Sequence, residues 1–381
     1  MLQELKPNEF ERARPLFQGF DYSLSIQAAL EGTNPGRIFV DDTAQPRTAF
    51  VLTVEGYLLA GEYDNPATNE ALRRFLKKQI FTGQVFVNGN ESMSLAVHPL
   101  AWEAKLPDLI PTHEIEKLER YHYLCRAVKF DWRNHLPEGY TLHRVDAALM
   151  NSPQVTWPDP VREFFDPADM WGTPENFWAK GVSFCIIHER QVVAWCTSDC
   201  IAGSQIDMGI VTHPGYRRRG LAAIAVAATV EYCLSHGFNA VGWHCNTQNT
   251  GSWKTAEKVG FERDREYAYY YYMYDPVDHL AELGWYHYRR GEHARTVQYY
   301  EQAFERRAKN PDYYYHLTAS AYALLGDRDK ALHYLCAAAE HGWTNVDWTK
   351  EQEEFEILHG SPEWEAALAH MERNAAQGSA G

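Results

Sequence analysis

One segment in the second half of the sequence restricts the possible folds more than any other part. Residues 205–212 have the composition of a strand, which His213-Pro214-Gly215 ends. An alanine-rich helix is predicted for residues 221–236, with Gly237 as its C-terminal stop, and another strand for residues 240–245. A strand, a helix and a strand in this order form a βαβ unit, so the two strands should run parallel. We therefore expect an α/β domain around this segment.

The turn between this strand and this helix is rich in arginine. It consists of Arg217, Arg218, Arg219, Gly220, Leu221 and Ala222. Because the turn leads into a helix N-terminus, its successive backbone N–H groups can bind an anion, and Gly220 lets the backbone approach a pyrophosphate closely. Taken alone, the turn is equally compatible with an ordinary solvated basic turn.

The residues around this turn resemble a known family. Residues 207–222 resemble the acetyl-CoA motif of the GCN5-related N-acetyltransferases, the GNAT superfamily. Asn249 and the downstream sequence Glu257-Lys258-Val259-Gly260-Phe261 resemble the second motif of that superfamily. Both blocks occur in the family's order, with the expected helix and strand between them. The resemblance implies a mixed β-sheet GNAT fold and an enzyme that uses acetyl-CoA as a co-substrate.

Three short sequences narrow the resemblance to a subgroup. Gly-Ile-x-Thr, Arg-Gly-Leu-Ala and Trp-x-Cys-Asn, together with an N-terminal α/β half, are similar to the zwittermicin-resistance-type acetyltransferases. In that subgroup the N-terminal half resembles a decayed copy of the catalytic fold. Residues 1–135 contain no second Arg-x-x-Gly-x-Gly/Ala turn, which agrees with one cofactor site.

The sequence divides into regions of different pattern. We expect an N-terminal α/β domain over residues 1–135, a degenerate GNAT half, and a catalytic GNAT domain over residues 136–275. An all-α helical-repeat domain should occupy residues 276–375, followed by a flexible tail over residues 376–381. The expected fold class is α/β with an all-α C-terminal domain.

The N-terminal region carries no chemical motif, but its hydrophobic pattern predicts secondary structure. Strands are expected at residues 37–40, 49–54, 57–60 and 84–87. A helix is expected at residues 69–81, and a further helix or helix–strand junction at residues 114–128.

The C-terminal region contains an internal repeat. Gly291 recurs as Gly326, 35 residues further on, and Asn310-Pro311 ends the first copy. A third, degenerate copy is expected over residues 348–371. The spacing resembles the tetratricopeptide repeat and predicts packed helix hairpins.

The family resemblance implies which residues bind the cofactor. Backbone groups of Ile210, Val211 and Thr212 would hold the pantetheine arm and the acetyl carbonyl, and one N–H would stabilise the developing oxyanion. The turn from Arg217 to Ala222 would bind the pyrophosphate, and Asn249 and Ser252 would contact the cofactor from the second motif. Asn249 is also placed to cap the following helix.

The amine nucleophile must lose a proton, because an ammonium group with a pKa near ~10 is mostly protonated at neutral pH. Asp207, at the start of the cofactor strand, is the first candidate for the base, and His244 is the second. Asp207 and His244 could each have a structural role instead. Asp199 could hold the amine as a counter-charge. Ala256 stands where many family members have a tyrosine that protonates the leaving thiolate.

Composition excludes several classes of partner. A formal net charge of -15 makes a general nucleic-acid binder improbable, because phosphate contacts need clustered cations. Neither a secretory signal nor an apolar run that could span a membrane is visible. The seven cysteines include no CxxC pair, so we expect no metal site and a cytoplasmic protein with reduced thiols.

Three functions remain open. The first is an N-acetyltransferase for a small amine-bearing metabolite or antibiotic. The second is a protein or peptide acetyltransferase whose helical repeats bind the acceptor, which the excess of acidic residues after position 276 would suit. The third is a non-catalytic acyl-CoA-binding scaffold.

Overall fold

The computed structural model of the chain describes residues 2–87 and 91–378. The chain divides into two units. The first comprises Met1–Pro111 and Lys117–Tyr271, and the second Thr112–Glu116 and Tyr272–Gly381. No described helix is both long and apolar enough to cross a membrane. All seven cysteines are free thiols.

In the described residues, the first unit is built on one sheet of twelve strands. In chain order they are β1 (Gln3–Glu4), β2 (Gly36–Val40), β3 (Thr48–Thr53), β4 (Gly56–Gly61), β5 (Ser92–His98), β6 (Lys117–Cys125), β7 (Tyr140–Arg144), β8 (Ser183–His188), β9 (Gln191–Ala202), β10 (Gln205–Thr212), β11 (Ala240–Asn246) and β12 (Glu262–Met273). Across the sheet they lie in the order β1-β2-β3-β4-β5-β12-β6-β11-β10-β9-β8-β7. Strand β4 runs parallel to β5, and β10 runs parallel to β11, as the βαβ prediction required.

The helices of the first unit are α1 (Leu24–Glu31), α2 (Pro66–Phe75), α3 (Leu106–Leu109), α4 (Ala147–Met150), α5 (Asp159–Arg162), α6 (Pro167–Trp171), α7 (Pro174–Lys180), α8 (Leu221–Ser235) and α9 (Thr250–Val259). Helix α8 packs on β8, β9, β10 and β11, and most of its side chains are buried. This burial explains why α8 is rich in alanine and other apolar residues, because a helix that is covered on most sides does not need a polar face.

The two halves of the sheet repeat one order of elements. Three antiparallel strands (β2, β3, β4) lead through α2 to the parallel strand β5, and β8, β9 and β10 lead through α8 to the parallel strand β11. The next strand of each half then crosses to the other half. Strand β6 pairs with β11, while β12 lies next to β5. The halves are therefore joined by exchanged strands at the centre of the sheet.

Several predictions for the N-terminal region need correction. Residues 84–87 are not a strand, and the parallel strand is β5 at Ser92–His98. The helix or helix–strand junction expected at residues 114–128 is wrong, because this segment contains no helix and Lys117–Cys125 forms β6 between β11 and β12. The mixture of polar and apolar residues in β6 resembles a helix pattern, but its long-range pairing with both neighbours overrides that local preference.

The second unit is helical and contains hairpins of packed helices. Its helices are α10 (Pro276–Arg289), α11 (His293–Arg306), α12 (Asp312–Leu324), α13 (Arg328–Glu340), α14 (Val346–Glu351) and α15 (Pro362–Gly378). Helix α10 packs on α11, and α12 on α13. The connecting turns contain Gly291 and Gly326, each with a positive φ angle, which explains why glycine recurs at these positions. The predicted all-α region is confirmed.

Candidate active site

Strands β10 and β11 part in the middle of the sheet. They pair from Gln205 and Ala240 up to Asp207 and Gly242, although β10 continues to Thr212 and β11 to Asn246. Beyond Asp207, the edge of β10 that faced β11 is open, while its other edge stays paired with β9. The backbone groups of Ile210, Val211 and Thr212 lie on this diverging part, so an extended ligand can add to the open edge.

The arginine-rich turn ends at an open helix N-terminus. Gly220 precedes α8 with φ 79°, in the left-handed region, and no side chain caps the first amides of the helix among the described residues. Arg217, Arg218 and Arg219 are exposed around these amides, whereas the Leu221 side chain is buried in the core. The turn therefore combines free backbone donors, the positive end of a helix dipole and three cations.

The equivalent helix of the first half has a different N-terminus. Helix α2 is capped by Asn65, whose side chain accepts hydrogen bonds from the amides of Ala67 and Thr68. The preceding residues include the acidic Asp64 in place of arginines. With its amides satisfied and an acid beside them, this terminus is a poor anion site.

A cavity of about 420 Å³ lies beside the point where β10 and β11 part. Both halves of the sheet line it. The first half contributes Tyr22, Ser25, Glu55 and Arg120, and the second half contributes Asp199, Asp207, Ile210, His244, Asn249, Ser252 and Tyr267. Ionisable side chains from distant parts of the chain thus meet in one cavity, which is typical of a reaction site.

Asp207 is the buried acid at the point of separation. Its Oδ2 atom lies 3.5 Å from Nε2 of His244, and Nδ1 of His244 lies 3.0 Å from the hydroxyl of Tyr267. Burial raises the pKa of Asp207 to about 7, with the nearby His122 acting in the opposite direction. Burial lowers the pKa of His244 to about 4, so this imidazole is neutral at neutral pH. A carboxyl group with a pKa near neutrality is suited to accept a proton.

Gly242 makes room for the Asp207 carboxyl group. A Cβ atom at position 242 would lie 1.7 Å from Oδ1 of Asp207. The two residues are neighbours across the last parallel pair of β10 and β11. The Asp207 carboxyl group therefore lies over the backbone of β11, in space that the side chain of any residue other than glycine at position 242 would fill.

Two further carboxyl groups face the cavity, from Glu55 and Asp199. Burial raises the pKa of both, and repulsion from Asp207 raises both further. Repulsion from Glu55 also raises the pKa of Asp199. Arg120, whose Cζ lies 5.7 Å from the centre of the Tyr269 ring, lowers the pKa of both. One arginine thus faces three carboxyl groups, so the cavity favours a cationic ligand.

A β-bulge positions Asp199. Asp207 pairs with Cys200 and Met208 with Ser198, so Asp199 is the extra residue of β9. The Asn34 side chain holds this bulge, since its Nδ2 donates to the Asp199 carbonyl at 3.1 Å and its Oδ1 accepts from the Ile201 amide at 3.2 Å. Asn34 belongs to the first half, which therefore fixes part of the second half's cavity wall.

Asn249 and Ser252 lie at the start of α9 and line the cavity. The Asn249 side chain accepts a hydrogen bond from the Ser252 amide at 3.2 Å and so caps α9, the structural role expected for it. The hydroxyl of Ser252 accepts one from Nε1 of Trp243 at 3.1 Å. Both side chains are thus fixed by local hydrogen bonds where they can contact a ligand.

Glu55 and Asp207 of this cavity form a group of candidate metal ligands with the buried Cys200. Ligand atoms of Glu55, Cys200 and Asp207 all lie within 4.8 Å of one another, and in the described residues this group has the spacing to hold a divalent cation. Burial raises the pKa of the Cys200 thiol well above its ordinary value, and the same carboxyl groups raise it further. A metal there would need the thiol and the carboxyl groups to lose their protons first.

The structure brings together residues that the sequence pattern did not connect. The predicted site residues Asp207, Ile210, His244, Asn249 and Ser252 line one cavity. The sequence interpretation missed Glu55 and Arg120, because a charged residue in a hairpin turn or a polar strand carries no local signal.

Comparisons with known proteins agree with this geometry. A model of the GNAT acetyltransferase family matches residues 14–270. YdfB of Bacillus subtilis (strain 168), an uncharacterized N-acetyltransferase, is 24% identical over 272 residues, which are 71% of this chain and 98% of the relative. The crystal structure of a GCN5-related N-acetyltransferase-like protein from Streptococcus suis 89/1591 is 25% identical, with a TM-score of 0.52, and the match covers 69% of this chain and 98% of that chain.

The family match spans both halves of the sheet. Residues 14–270 include the diverging strands, the arginine-rich turn and every cavity residue named above, and they end before α10. The sheet, the open helix terminus and the buried acid are thus features of the matched part of the chain. The chain belongs to the GNAT acetyltransferase family.

Proposed function

We propose that this acetyltransferase transfers an acetyl group from acetyl-CoA to a primary amine by direct attack in a ternary complex. The observation that carries the proposal is the separation of β10 and β11, because two features of different chemistry adjoin these strands. An open, basic helix N-terminus lies on one side, and a buried carboxyl group in an acidic cavity lies on the other.

Residues of the second half fit a ligand with a pyrophosphate and an extended arm. The turn at residues 217–222 would bind the pyrophosphate through the first amides of α8 and the three arginines. The open edge of β10 at Ile210, Val211 and Thr212 would pair with the arm, and Asn249 and Ser252 would contact it from α9. Bound acetyl-CoA would supply the thioester that the amine attacks.

The acidic cavity accounts for the acceptor class. Glu55, Asp199 and Asp207 would attract a cationic amine, and burial raises the pKa of each although Arg120 lowers that of Glu55 and Asp199. A bound ammonium group offsets this cost, so the amine and the carboxyl groups stabilise one another. The cavity volume of about 420 Å³ suits a small molecule, an amine-bearing metabolite or antibiotic.

Asp207 would remove the proton that the ammonium group must lose before attack. His244 would position the carboxylate rather than act as the base, because its pKa of about 4 leaves it too weak at neutral pH. Burial raises the pKa of Tyr267, so its hydroxyl stays protonated and can donate to Nδ1 of His244. The proton on the imidazole then lies at Nε2 and faces the Asp207 carboxylate.

The departing thiolate has no donor at the family's tyrosine position. Ala256 is fully buried in the core. A thiol pKa near ~8.5 makes departure as the thiolate tolerable at neutral pH. The hydroxyl-bearing Tyr267 and Tyr269 line the cavity and are the side chains on β12 to test as donors.

Replacing Gly242 with alanine should lower kcat by about 10- to 100-fold. The new Cβ would occupy the place of the Asp207 carboxyl group, and a shift of the order of 1 Å in a reacting group has effects of this size. Steady-state kinetics at saturating acetyl-CoA measures the change. In the double variant Gly242→Ala/Asp207→Asn the glycine substitution should add little, since its target is already lost. Additive losses would contradict this account of Gly242.

The first half fits a decayed copy of the catalytic half, as in the zwittermicin-resistance-type subgroup. The repeated order of elements supports this proposal, and so does the capped N-terminus of α2. The hairpins of the second unit likewise support the proposed relation to tetratricopeptide repeats.

A thiol-release assay with acetyl-CoA across a panel of amines tests the proposed function. We expect turnover with small primary amines, and mass spectrometry should find the acetyl group on nitrogen. Turnover with peptide amines alone would instead favour a protein acetyltransferase whose helical unit binds the acceptor. Acetyl-CoA binding without turnover on either class would favour a non-catalytic scaffold.

A further inference from the structure

A second cavity, of about 730 Å³, lies within the helical unit. Aromatic rings dominate its walls: Trp285, Tyr288, Tyr300, Tyr313, Trp343 and Trp348. We call it the aromatic cavity. The residues that α10 contributes to it, including Asp278, Glu282 and Trp285, follow the spacing of one helix face. The cavity therefore lies along one side of the first hairpin.

Several of the rings are packed against one another, and three of the rings are partly exposed, although Arg289 Cζ lies 6.0 Å from the centre of the Trp285 ring. Trp285 stacks on Tyr288 with ring centres 5.8 Å apart, and His316 stacks on Trp343 at 4.4 Å and on Trp348 at 4.9 Å. Trp285, Tyr313 and Trp348 keep exposed fractions of 38%, 46% and 40%. Large exposed aromatic side chains around a cavity indicate a binding surface, because a monomer gains nothing from leaving them in water.

The charge on the cavity wall is negative. Asp278 and Glu282 line it, and in the described part of the chain no lysine or arginine does. Asp278 is compensated, since Arg307 Nη1 donates to it at 2.8 Å and the Tyr314 hydroxyl at 2.9 Å. Glu282 forms no ion pair or hydrogen bond with any described residue. Burial raises its pKa, and Arg289 offsets this only in part.

Buried polar atoms on the wall also have no partner. The Tyr300 hydroxyl and Nδ1 of His316 belong to fully buried residues and form no hydrogen bond with described residues. Oε1 of Gln352, which lines the same cavity, is also a buried atom that forms no hydrogen bond with a described residue. Burial lowers the pKa of His316 to about 3, so this ring adds no positive charge. Unsatisfied buried polar atoms are costly, so a ligand with polar groups would stabilise this arrangement.

We propose that the aromatic cavity binds an alkylammonium group, with Glu282 as its counter-charge and the rings of Trp285, Tyr288 and Trp348 as cation–π partners. Aromatic cages with a nearby carboxylate attract ammonium ions through the negative faces of the rings. Glu282, which Arg289 offsets only in part, would repel an anion, and a purely apolar ligand would leave Glu282 and the buried polar atoms unpaired. This inference concerns the helical unit alone and does not rest on the proposed acetyl transfer.

A matched pair of ligands tests the charge. Choline and 3,3-dimethylbutan-1-ol have the same shape, and only choline is a cation. Isothermal titration calorimetry on the full chain should show choline bound at least about tenfold more tightly, in line with a desolvated cation–π contact. Equal affinity for the two compounds, or no binding of choline, would overturn the proposal.

Two variants locate the binding to this cavity. Glu282→Gln keeps the side-chain shape and should weaken choline binding by at least about fivefold. Glu365→Gln, at an exposed acid of α15 outside the cavity, should leave it unchanged. Trp285→Leu, at a partly exposed ring, should also weaken binding. If the affinity for choline is the same in Glu282→Gln, in Trp285→Leu and in the unaltered chain, the proposal fails.

Competition identifies the source of the ammonium group. Displacement of choline by n-butylammonium alone would assign the cavity to free amines. Displacement by Nα-acetyl-lysine methylamide, whose side-chain ammonium is free, would assign it to the lysine side chain of a peptide. Displacement by neither compound would contradict the inference that alkylammonium groups are recognised here.

Discussion

Asp207→Asn should lower kcat by roughly 10²–10⁴ at neutral pH, the range attributed to a general base. Asparagine keeps the shape that fits over Gly242 but cannot accept the proton. In the unaltered protein kcat/KM should rise as the pH increases through about 7, because the Asp207 carboxyl group, with its pKa of about 7, must be ionised to act. In the variant this inflection should be absent, and the remaining rate should follow the fraction of free amine in solution.

The same substitution should stabilise the fold at high pH. A carboxyl group whose pKa is raised on folding favours the folded state below its ordinary pKa of 3.8 and loses that contribution as the pH rises through about 7. An asparagine at this position does not titrate, so its contribution to stability does not depend on pH. At about pH 8 the variant should therefore be more stable by up to about 4 kcal/mol, and near pH 4 the two proteins should be equal. Thermal unfolding at both pH values measures this difference.

Asp199→Asn is the matched control for the base. The same change of side chain is made in the same cavity, at a carboxyl group assigned to holding the amine. It should raise KM for the amine more than it lowers kcat. If Asp207→Asn keeps the normal pH profile of the rate, Asp207 is not the base, whatever its effect on stability.

The second half of the sheet was predictable because its signals are local. An alanine-rich run that ends at Gly237 gave the helix that is observed as Leu221–Ser235, and the arginine-rich turn identified the end of β10. Each of these features depends on neighbours in the chain. The parallel pairing of β10 and β11 then follows from the order of the elements.

The cavity as a whole was not predictable, because it depends on the exchanged strands. Arg120 reaches the site on β6, which pairs with β11 through residues more than a hundred positions away in the chain. Glu55 lies in the turn between β3 and β4, where a polar residue is expected for solvation alone. Its position in the cavity becomes visible only when the first half is placed against Asp207.

The second large effect is expected from Gly220→Val, which should weaken acetyl-CoA binding by at least about a hundredfold. Gly220 has φ 79°, a conformation that a β-branched residue rarely adopts, so valine would turn the first amides of α8 away from the pyrophosphate. The loss of two charge-assisted hydrogen bonds costs about 3 kcal/mol, which corresponds to that factor. Calorimetric titration with acetyl-CoA measures the affinity directly.

Gly237→Val separates this effect from general strain. Gly237 follows the other end of the same helix with φ 98°, and an added Cβ at either glycine meets no atom of a described residue within 4 Å. Both variants should therefore lose a similar stability, about 1–3 kcal/mol, through backbone strain alone. Only Gly220→Val should change the affinity for acetyl-CoA, because only that end of α8 carries free amides and arginines. Equal affinities for the two variants would mean that the arginine-rich turn does not bind the cofactor.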